Sequence, residues 1–460
     1  MRIIVDADIR IPLHTLLLVT RNRITSDLTM SNPQFEDACR HGRWTGNIPK
    51  TLTFYHRDND HLILPRGYIG RLNTLLEQGE RVQVDDRTRI LPPVDFHFTG
   101  ALRPYQVEAV AKVLQRRQGV LEMPAGAGKT VTALVIIAAR KQPSLVIVHT
   151  KELMYQWKER ALQFLDLDPD EVGMIGDGHM HVGPRLTVGI VNSLYRCADE
   201  VSPHIGNLVV DECHHMPART FTEAVRAFDA RFLLGLSATP YRRDRLNRLI
   251  YLYLGDRVHQ VLPSTLQQRG YILRARLVVR NTDFDYREVA DNYQECMSAL
   301  AWDPDRNRLI VHDVLEEVQS GTPGIALVIS DRVAHCERLY HAIHTQGIET
   351  RLMTGTMSSR ERADTVLDLN EGKARVLIAT ASLLGEGFDL KTLSALFLAM
   401  PIKFSGRVKQ YVGRVLRVAE GKREPLIYDY VDRPAVLQAS FKSRCYAYRD
   451  LGIEVLGQAA

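Results

Sequence analysis

The chain has 460 residues, 45% of them apolar and 25% charged, with 59 Lys and Arg against 54 Asp and Glu for a formal net charge of +5. This is a globular composition with room for two or three cores, and its mild basicity suits a nucleic-acid partner without demanding one. The six cysteines, Cys39, Cys197, Cys213, Cys296, Cys336 and Cys445, form no CxxC pair, which excludes a disulfide framework or a zinc knuckle and points to a reducing interior.

The first apolar run, residues 16–19, is far too short for a signal core or a membrane span, and no later stretch is long enough to cross a bilayer. A cytoplasmic protein without a membrane partner is expected. Residues 1–95 read as a separate small α+β accessory domain. Residues 52–55 and 61–64 alternate like strands across Arg57-Asp58-Asn59-Asp60, a hairpin signal. Around it Arg43, Arg57, Arg66 and Arg71 interleave with Trp44, Tyr55 and Tyr68. Two readings stand side by side: a surface that holds phosphates and stacks bases, or a solvated strand face over an aromatic mini-core. Pro92-Pro93 marks a linker.

From residue 96 to 280 apolar strands alternate with helical stretches, the pattern of a parallel sheet wrapped by helices. Strands are expected at 119–122, 145–149, 187–191, 208–211 and 232–236. The polar, acidic stretch 281–305 reads as a linker. The alternation resumes over 306–432, with strands at 324–329, 350–353, 376–380, 395–398 and 426–430, and 433–460 reads as a helical tail. The second α/β unit has no phosphate loop of its own, so one nucleotide is expected to serve both units.

The chemistry begins where the strand at 119–122 ends. Met123, Pro124, Ala125, Gly126, Ala127 and Gly128 form a tight small-residue loop, and Lys129 opens the apolar helix KTVTALVIIAAR. Strand, glycine loop and helix aim backbone N–H groups and a helix N-terminus at one point, a cradle for nucleotide phosphates. Lys129 adds a point charge and Thr130 a hydroxyl for Mg²⁺. The strict pattern has Gly where this chain has Met123.

Asp211 and Glu212 follow the apolar strand Leu208-Val209-Val210, at the edge of a parallel sheet where ligands bind. Asp211 is placed to hold Mg²⁺ and Glu212 to polarise an attacking water. Cys213, His214 and His215 make a poor metal set, because adjacent strand residues face opposite ways. Ser237 and Thr239 end the next strand with two hydroxyls able to link the carboxylates to the sheet edge. If residues 407–417 are helical, Gln410, Arg414 and Arg417 share one face, fit to meet a γ-phosphate.

The motifs GxGKT, DECH, SATP and QxxGRxxR, in that order over roughly residues 100–432, resemble those of a superfamily 2 helicase, in the branch that holds the XPB, RecG and UvsW-type DNA helicases. The resemblance implies two tandem RecA-like parallel-sheet domains using ATP and Mg²⁺. It implies that Gln106 reads adenine with Arg103 nearby, and that His214, Ser237 and Thr239 couple hydrolysis to motion. Thr150, Lys151 and Ser193 in the first unit, and Ser330, Arg332, Thr354 and Thr380 in the second, match backbone-contacting positions. Residues 385–389 match the motif that bridges nucleotide and track, with Gly387 at the nucleotide and Asp389 near the ribose. Arg242-Arg243-Asp244 stands where XPB relatives carry Arg-Glu-Asp, and 281–305 is too short for their thumb. The compact layout looks more like that of the phage branch-migration enzymes. The expected activity is an ATP-dependent DNA helicase, a monomer moving 3′-to-5′ on single strands to unwind or branch-migrate forked DNA in repair, recombination or replication. The expected setting is the nucleoid or a phage-infected cell. A remodelling ATPase without strand separation, of the restriction or defence type, and an RNA helicase are the alternatives.

Overall fold

The computed structural model describes residues 1–76, 82–214, 218–238, 246–286, 293–321, 323–381, 383, 390–402 and 405–456. The chain divides into two compact units, Met1–Met123 with Gly128–Val261, and Leu262–Ala460 with Pro124–Ala127.

The first unit opens with strands β1 (Arg2–Val5), β2 (Asp8–Pro12), β3 (Thr29–Ser31), β4 (Thr51–Thr53), β5 (His56–Asp58), β6 (His61–Pro65) and β7 (Gln83–Asp86). Five of them form a mixed sheet in the order β5-β6-β2-β1-β7, and β3 pairs with β4 alone. The hairpin expected from the sequence exists with different partners. Asp58 pairs with His61, so the loop is Asn59-Asp60, and Asn59 takes a left-handed φ of 37°. That two-residue turn fixes His56–Asp58 as the strand opposite β6, while Leu52 pairs with Met30 across β3 and β4.

The first motor sheet follows, with β8 (Gln118–Glu122), β9 (Ser144–Val148), β10 (Val172–Gly176), β11 (His179–His181), β12 (Leu186–Ile190), β13 (Asn207–Val210), β14 (Phe232–Ser237) and β15 (Arg257–Gln260). Its order is β11-β10-β12-β9-β13-β14-β8-β15, and every pairing is parallel except that of β10 with β11. Strands such as SLVIV at β9 are buried at every position, as a sheet covered on both faces requires.

The N-terminal sheet is no loose appendage. Ile3, Ile9, Ile11, Leu62 and Leu64 belong to the same apolar core as Val210, Phe221, Leu249 and Leu254 of the first motor sheet and its helices. Arg226 reaches Asp8 at 2.7 Å, and Arg89 holds Asp229 through two bonds of 2.8 and 2.9 Å. Half-exposed pairs of this kind contribute about 0–1 kcal/mol each, against about 1.5–3 kcal/mol per buried aliphatic side chain. The shared core therefore dominates. The Pro92-Pro93 segment is tied down as well, since the Gln142 side chain bonds both the N–H and the C=O of Leu91.

The second unit carries β16 (Arg276–Asn281), β17 (Ile325–Ser330), β18 (Thr350–Met353), β19 (Val376–Thr380), β20 (Leu393–Leu398), β21 (Leu426–Val431) and β22 (Glu454–Leu456). The order is β18-β19-β17-β20-β21-β16-β22, all parallel. These two sheets are the tandem RecA-like domains that the resemblance implies. Two stretches differ from the expected boundaries. β16, of which residues 276–280 were placed in the first domain and Asn281 in the linker from the sequence, pairs with β21 and β22 of the second sheet. The expected linker contains the helix Tyr293–Trp302, which buries Cys296, Met297 and Leu300 against Phe284, Met400 and Leu437. The C-terminal tail is the helix Ala435–Asp450 followed by β22.

Gly67, in the 3-10 turn Arg66–Tyr68 that follows β6, is packed tightly against the chain at Tyr251–Gly255. A Cβ there would lie 2.4 Å from the Tyr251 carbonyl oxygen and 2.5 Å from Gly255 N and Leu252 O. These are backbone atoms with nowhere to go, so Gly67→Ala is expected to cost the first unit about 2–3 kcal/mol, read as a lower midpoint in urea unfolding.

Candidate functional site

The phosphate loop has the shape its glycines allow. Gly126 and Gly128 have φ of 82° and 78°, and Gly128 caps the helix Lys129–Arg140. Met123 is buried, and its N–H donates to the Ser237 carbonyl at 3.0 Å, continuing the β8–β14 pairing. Met123 is not among the residues with positive φ, so a side chain is tolerated where the strict pattern has glycine. Gln106 lies against the loop, since a Cβ on Gly128 would meet its Nε2 at 2.4 Å. Its Oε1 accepts from the Arg103 N–H at 2.8 Å, closing a capping box on the helix Pro104–Leu114, and Arg103 itself is exposed.

Strand β13 ends at Val210, and residues 211–214 form a turn, not the strand continuation used to argue against a metal set at Cys213 and His214. In that turn Glu212 has a φ of 43°, an uncommon conformation for a residue with a Cβ and one that clusters at functional sites. It aims the carboxylate at the loop: Lys129 Nζ donates to Glu212 Oε1 at 2.6 Å, with both side chains largely buried. Glu212 Oε2 lies 3.4 Å from His214 Nδ1, which is 2.9 Å from Ser237 Oγ. Lys129, Glu212, His214 and Ser237 thus stand in line as a polar chain, with hydrogen bonds at its two ends and a 3.4 Å approach between Glu212 and His214. Thr239, Pro240, His215, Arg242, Arg243 and Asp244 lie outside the described residues.

Asp211 is 5% exposed, accepts from Trp157 Nε1 at 2.7 Å and from the Glu212 N–H at 2.9 Å, and makes no ion pair among the described residues. Burial first, and the neighbouring Glu212 charge second, push its carboxyl up to about 6, while Lys129 and Trp157 pull the other way. A buried carboxylate without a bonded cation, together with the half-buried Thr130 hydroxyl, is an all-oxygen donor set that suits Mg²⁺.

In the second unit the helix Ser405–Val415 carries Gln410, 9% exposed, and Arg414, half-buried. Arg417 is not on that helix, contrary to the expected single face. The helix closes with Leu416 N–H on Val412 O at 2.9 Å and Arg417 N–H on Arg414 O at 3.4 Å, and there Leu273 N–H bonds the Leu416 carbonyl at 2.8 Å and Arg417 pairs with Ile272. The turn is secured by Lys422, whose ammonium donates to the carbonyls of Val415, Arg417 and Lys391 at 2.7, 2.8 and 3.0 Å. Tyr411 anchors the helix itself, its hydroxyl donating to Ala381 O at 2.7 Å. Ser382 and residues 384–389, with Gly387 and Asp389, lie outside the described residues.

Residues 99–242 match the family described as Type III restriction enzyme, res subunit, and residues 309–419 match the helicase conserved C-terminal domain. Over 331 residues the chain is 27% identical to "Probable helicase D10" of Escherichia phage T5, covering 71% of this chain and 70% of that one. Over 159 residues it is 38% identical to DNA 3'-5' translocase XPB2 of Sulfurisphaera tokodaii, covering 35% of each. The chain belongs to the superfamily 2 helicases. The family makes it an ATP-dependent helicase, with XPB-like relatives. Saccharomyces cerevisiae Dbp5, solved with RNA and ADP BeF3, shares the fold at a TM-score of 0.55 and 17% identity, over 77% of this chain and 89% of that one.

The helicase positions expected to touch the track are of two kinds. Lys151, Arg43 and Arg57 are exposed, and Thr150, Ser193 and Arg332 are half-buried. Thr150 caps the helix Lys151–Leu165, and Arg332 bonds Gln294. Ser330, Thr354 and Thr380 are buried, with Ser330 bonded to His335 at 3.0 Å and Thr354 to Thr356 at 2.8 Å. Arg66 is corrected outright: it is 3% exposed, and its Nη1 bonds the carbonyls of Asp6 and Ala230. It is an internal residue of the first unit, not a surface phosphate contact. Tyr68 is likewise buried, with its hydroxyl on Asp27.

Trp157, Tyr411 and Lys422 act on site residues and were not found from the sequence. No local pattern marks them, because each meets its partner only through the fold. Burial and Glu212 raise the affinity of Asp211 for a proton, bringing its pKa to about 6, and a proton there competes with Mg²⁺, so ATP hydrolysis at limiting Mg²⁺ is expected to fall as pH drops through that region. Trp157→Phe removes a hydrogen bond to the charged form and should move this acid limb to higher pH, which a pH series of steady-state rates will show. Lys422→Met leaves the carbonyls around Arg417 without their donor. It is expected to lower kcat about tenfold or more with KM for ATP little changed, whereas Lys422→Arg should recover part of the loss.

Proposed function

We propose that this helicase is a DNA-dependent ATPase that translocates on single strands and separates or branch-migrates forked duplexes. The observation that supports turnover most directly is the polar chain from Lys129 through Glu212 and His214 to Ser237. It joins the phosphate-binding lysine to the general base and on to the next strand end. Lys129 and the loop N–H groups bind the β- and γ-phosphates, and Gln106 contacts the base. Glu212 orients a water and accepts its proton as the γ-phosphoryl group is lost. Asp211 and Thr130 hold Mg²⁺, which when bound neutralises phosphate charge. Arg414 and Arg417 act on the charge that develops in the transition state, a role worth about 10³–10⁵ in turnover.

Loss of the γ-phosphate changes what Lys129 and Glu212 contact, and Ser237 and His214 pass that change towards the strand-gripping positions. Gripping phosphates makes movement largely independent of base sequence and weaker at high salt. DNA as the track is supported by the relative named DNA 3'-5' translocase. RNA is the second reading, supported by a 26% identical mimivirus relative named "Putative ATP-dependent RNA helicase L396". A motor that remodels without separating strands is the third, supported by the restriction-enzyme family match.

Glu212→Gln keeps the shape of the site but releases Lys129 from its ion pair. It is expected to bind ATP as tightly as wild type or tighter, while turnover falls about 10²–10⁴-fold. Lys129→Ala should lose nucleotide binding, and Arg417→Ala should keep binding and lose turnover. Fluorescent-nucleotide titration and phosphate release separate the three. On a panel of single-stranded, forked and linear DNA and RNA, stimulation by DNA with fork displacement is expected. Stimulation by RNA alone would move the track assignment, and DNA-stimulated hydrolysis without displacement would favour the remodelling motor.

A further inference from the structure

The opposite edge of the first motor sheet, where β8 and β15 begin, holds a cavity of about 530 Å³ roofed by the N-terminal sheet. It lies a strand length, roughly 16 Å, from the phosphate loop. Five arginines line it, Arg66, Arg116, Arg117, Arg231 and Arg257, against the carboxylates of Asp86 and Asp256. Asp86 is already shared by Arg117 at 2.7 Å and Arg231 at 3.0 Å. Arg66 is the unusual member. It is 3% exposed, its Nη1 serves two backbone carbonyls, and its Nε and Nη2 have no hydrogen-bond partner. Among the described residues it makes no ion pair, and burial holds its guanidinium down at about 10 against the pull of four surrounding aspartates. A buried guanidinium without a bonded anion is costly; Arg66 lines an arginine-rich cavity, with its two unpartnered nitrogens set back from the open space, so it acts on the cavity through its charge.

We propose that this cavity is a second anion site, taking a small oligophosphate such as pyrophosphate or the phosphate tail of a free nucleotide. Arg117 and Arg231 share one carboxylate and Arg257 pairs with Glu122 at 3.3 Å, so positive charge still exceeds negative in the lining; an oligophosphate supplies further negative charge, and arginine forks match phosphate oxygens. The volume is within the range of small-ligand pockets. No aromatic side chain lines the cavity, so it offers phosphate recognition without a stacking platform for a base. A nucleic-acid backbone is the poorer fit, because Arg66 is enclosed while Arg43 and Arg57 stand exposed elsewhere on the N-terminal region.

The test uses the full chain carrying Lys129→Ala, so that the phosphate loop does not compete. Pyrophosphate titrated by calorimetry should bind at one site and raise Tm. Asn73, an exposed residue of the cavity wall, is then changed to Glu, placing a carboxylate at the entrance without touching the core. Asn73→Glu should weaken pyrophosphate at least tenfold and abolish the Tm shift, with the Tm of the ligand-free protein unchanged. Absence of binding to the Lys129→Ala protein, or binding that Asn73→Glu leaves intact, would overturn the proposal. So would displacement of pyrophosphate by a short DNA duplex whose own binding is lost in Asn73→Glu, because the cavity would then belong to the track.

Discussion

The parallel register of β8, β14 and β13 is the constraint on which the ATPase site depends. Glu122 pairs with Ser237, and Val210 pairs with Gly235. β8 and β14 end level and β13 two residues short of them, which brings the phosphate loop, Ser237 and the Asp211–Glu212 turn to one edge. No side chain has to reach far. The side chains of Lys129 and Glu212 meet at 2.6 Å, and those of His214 and Ser237 at 2.9 Å. The left-handed backbone at Glu212 is the local cost of bringing its carboxylate to the lysine instead of letting it follow the strand direction. A one-residue slip of β13 would turn the carboxylates away, so the apolar packing that sets the register also sets the chemistry.

The second unit shows a different solution to positioning charge. Arg306 and Asp432 are wholly buried as a pair at 2.8 Å, and Arg444 meets Asp429 at 2.7 and 2.8 Å with the Tyr448 hydroxyl also on Asp429. Buried pairs of this kind recover little more than their desolvation cost. Their effect is to fix where the helices Pro304–Gln319 and Ala435–Asp450 dock on the sheet. Lys422 does the same for the turn after Val415 with a charge and three carbonyls. Burial first, and Arg417 second, bring this ammonium down to about 7.

Much of this was legible in the sequence, and for a physical reason. Strands buried on both faces read as uninterrupted apolar runs, so β8, β9, β12, β13, β14 and most of the second sheet stood out within a residue or two. The phosphate loop and the acidic turn were legible because their chemistry needs particular residues at fixed spacing. What escaped had its cause elsewhere in the chain. Strand β15, RVHQ, has no fully buried position, and β16 resembles a linker edge until β21 and β22 claim it. The helix carrying Gln410 stops at Val415, where Leu273 bonds the Leu416 carbonyl, a distant pairing that no local pattern announces. Arg66 looked like one more surface arginine among several. Only the docking of the N-terminal sheet buries it.

That docking has a mechanical side. The N-terminal sheet and the first motor sheet share a single apolar interior, with the Gly67 backbone seated directly on the carbonyls of Tyr251 and Leu252 and the proline segment pinned through Gln142. Among the described residues, the connecting segment is held to the first α/β sheet through Leu91 and Gln142. A load on the N-terminal sheet therefore bears on the same core that holds β8 through Val120 and β14 through Leu233, the strands that end at the phosphate loop and at Ser237. The sheet is built as a stiff lever on the engine block, not as a tethered hand.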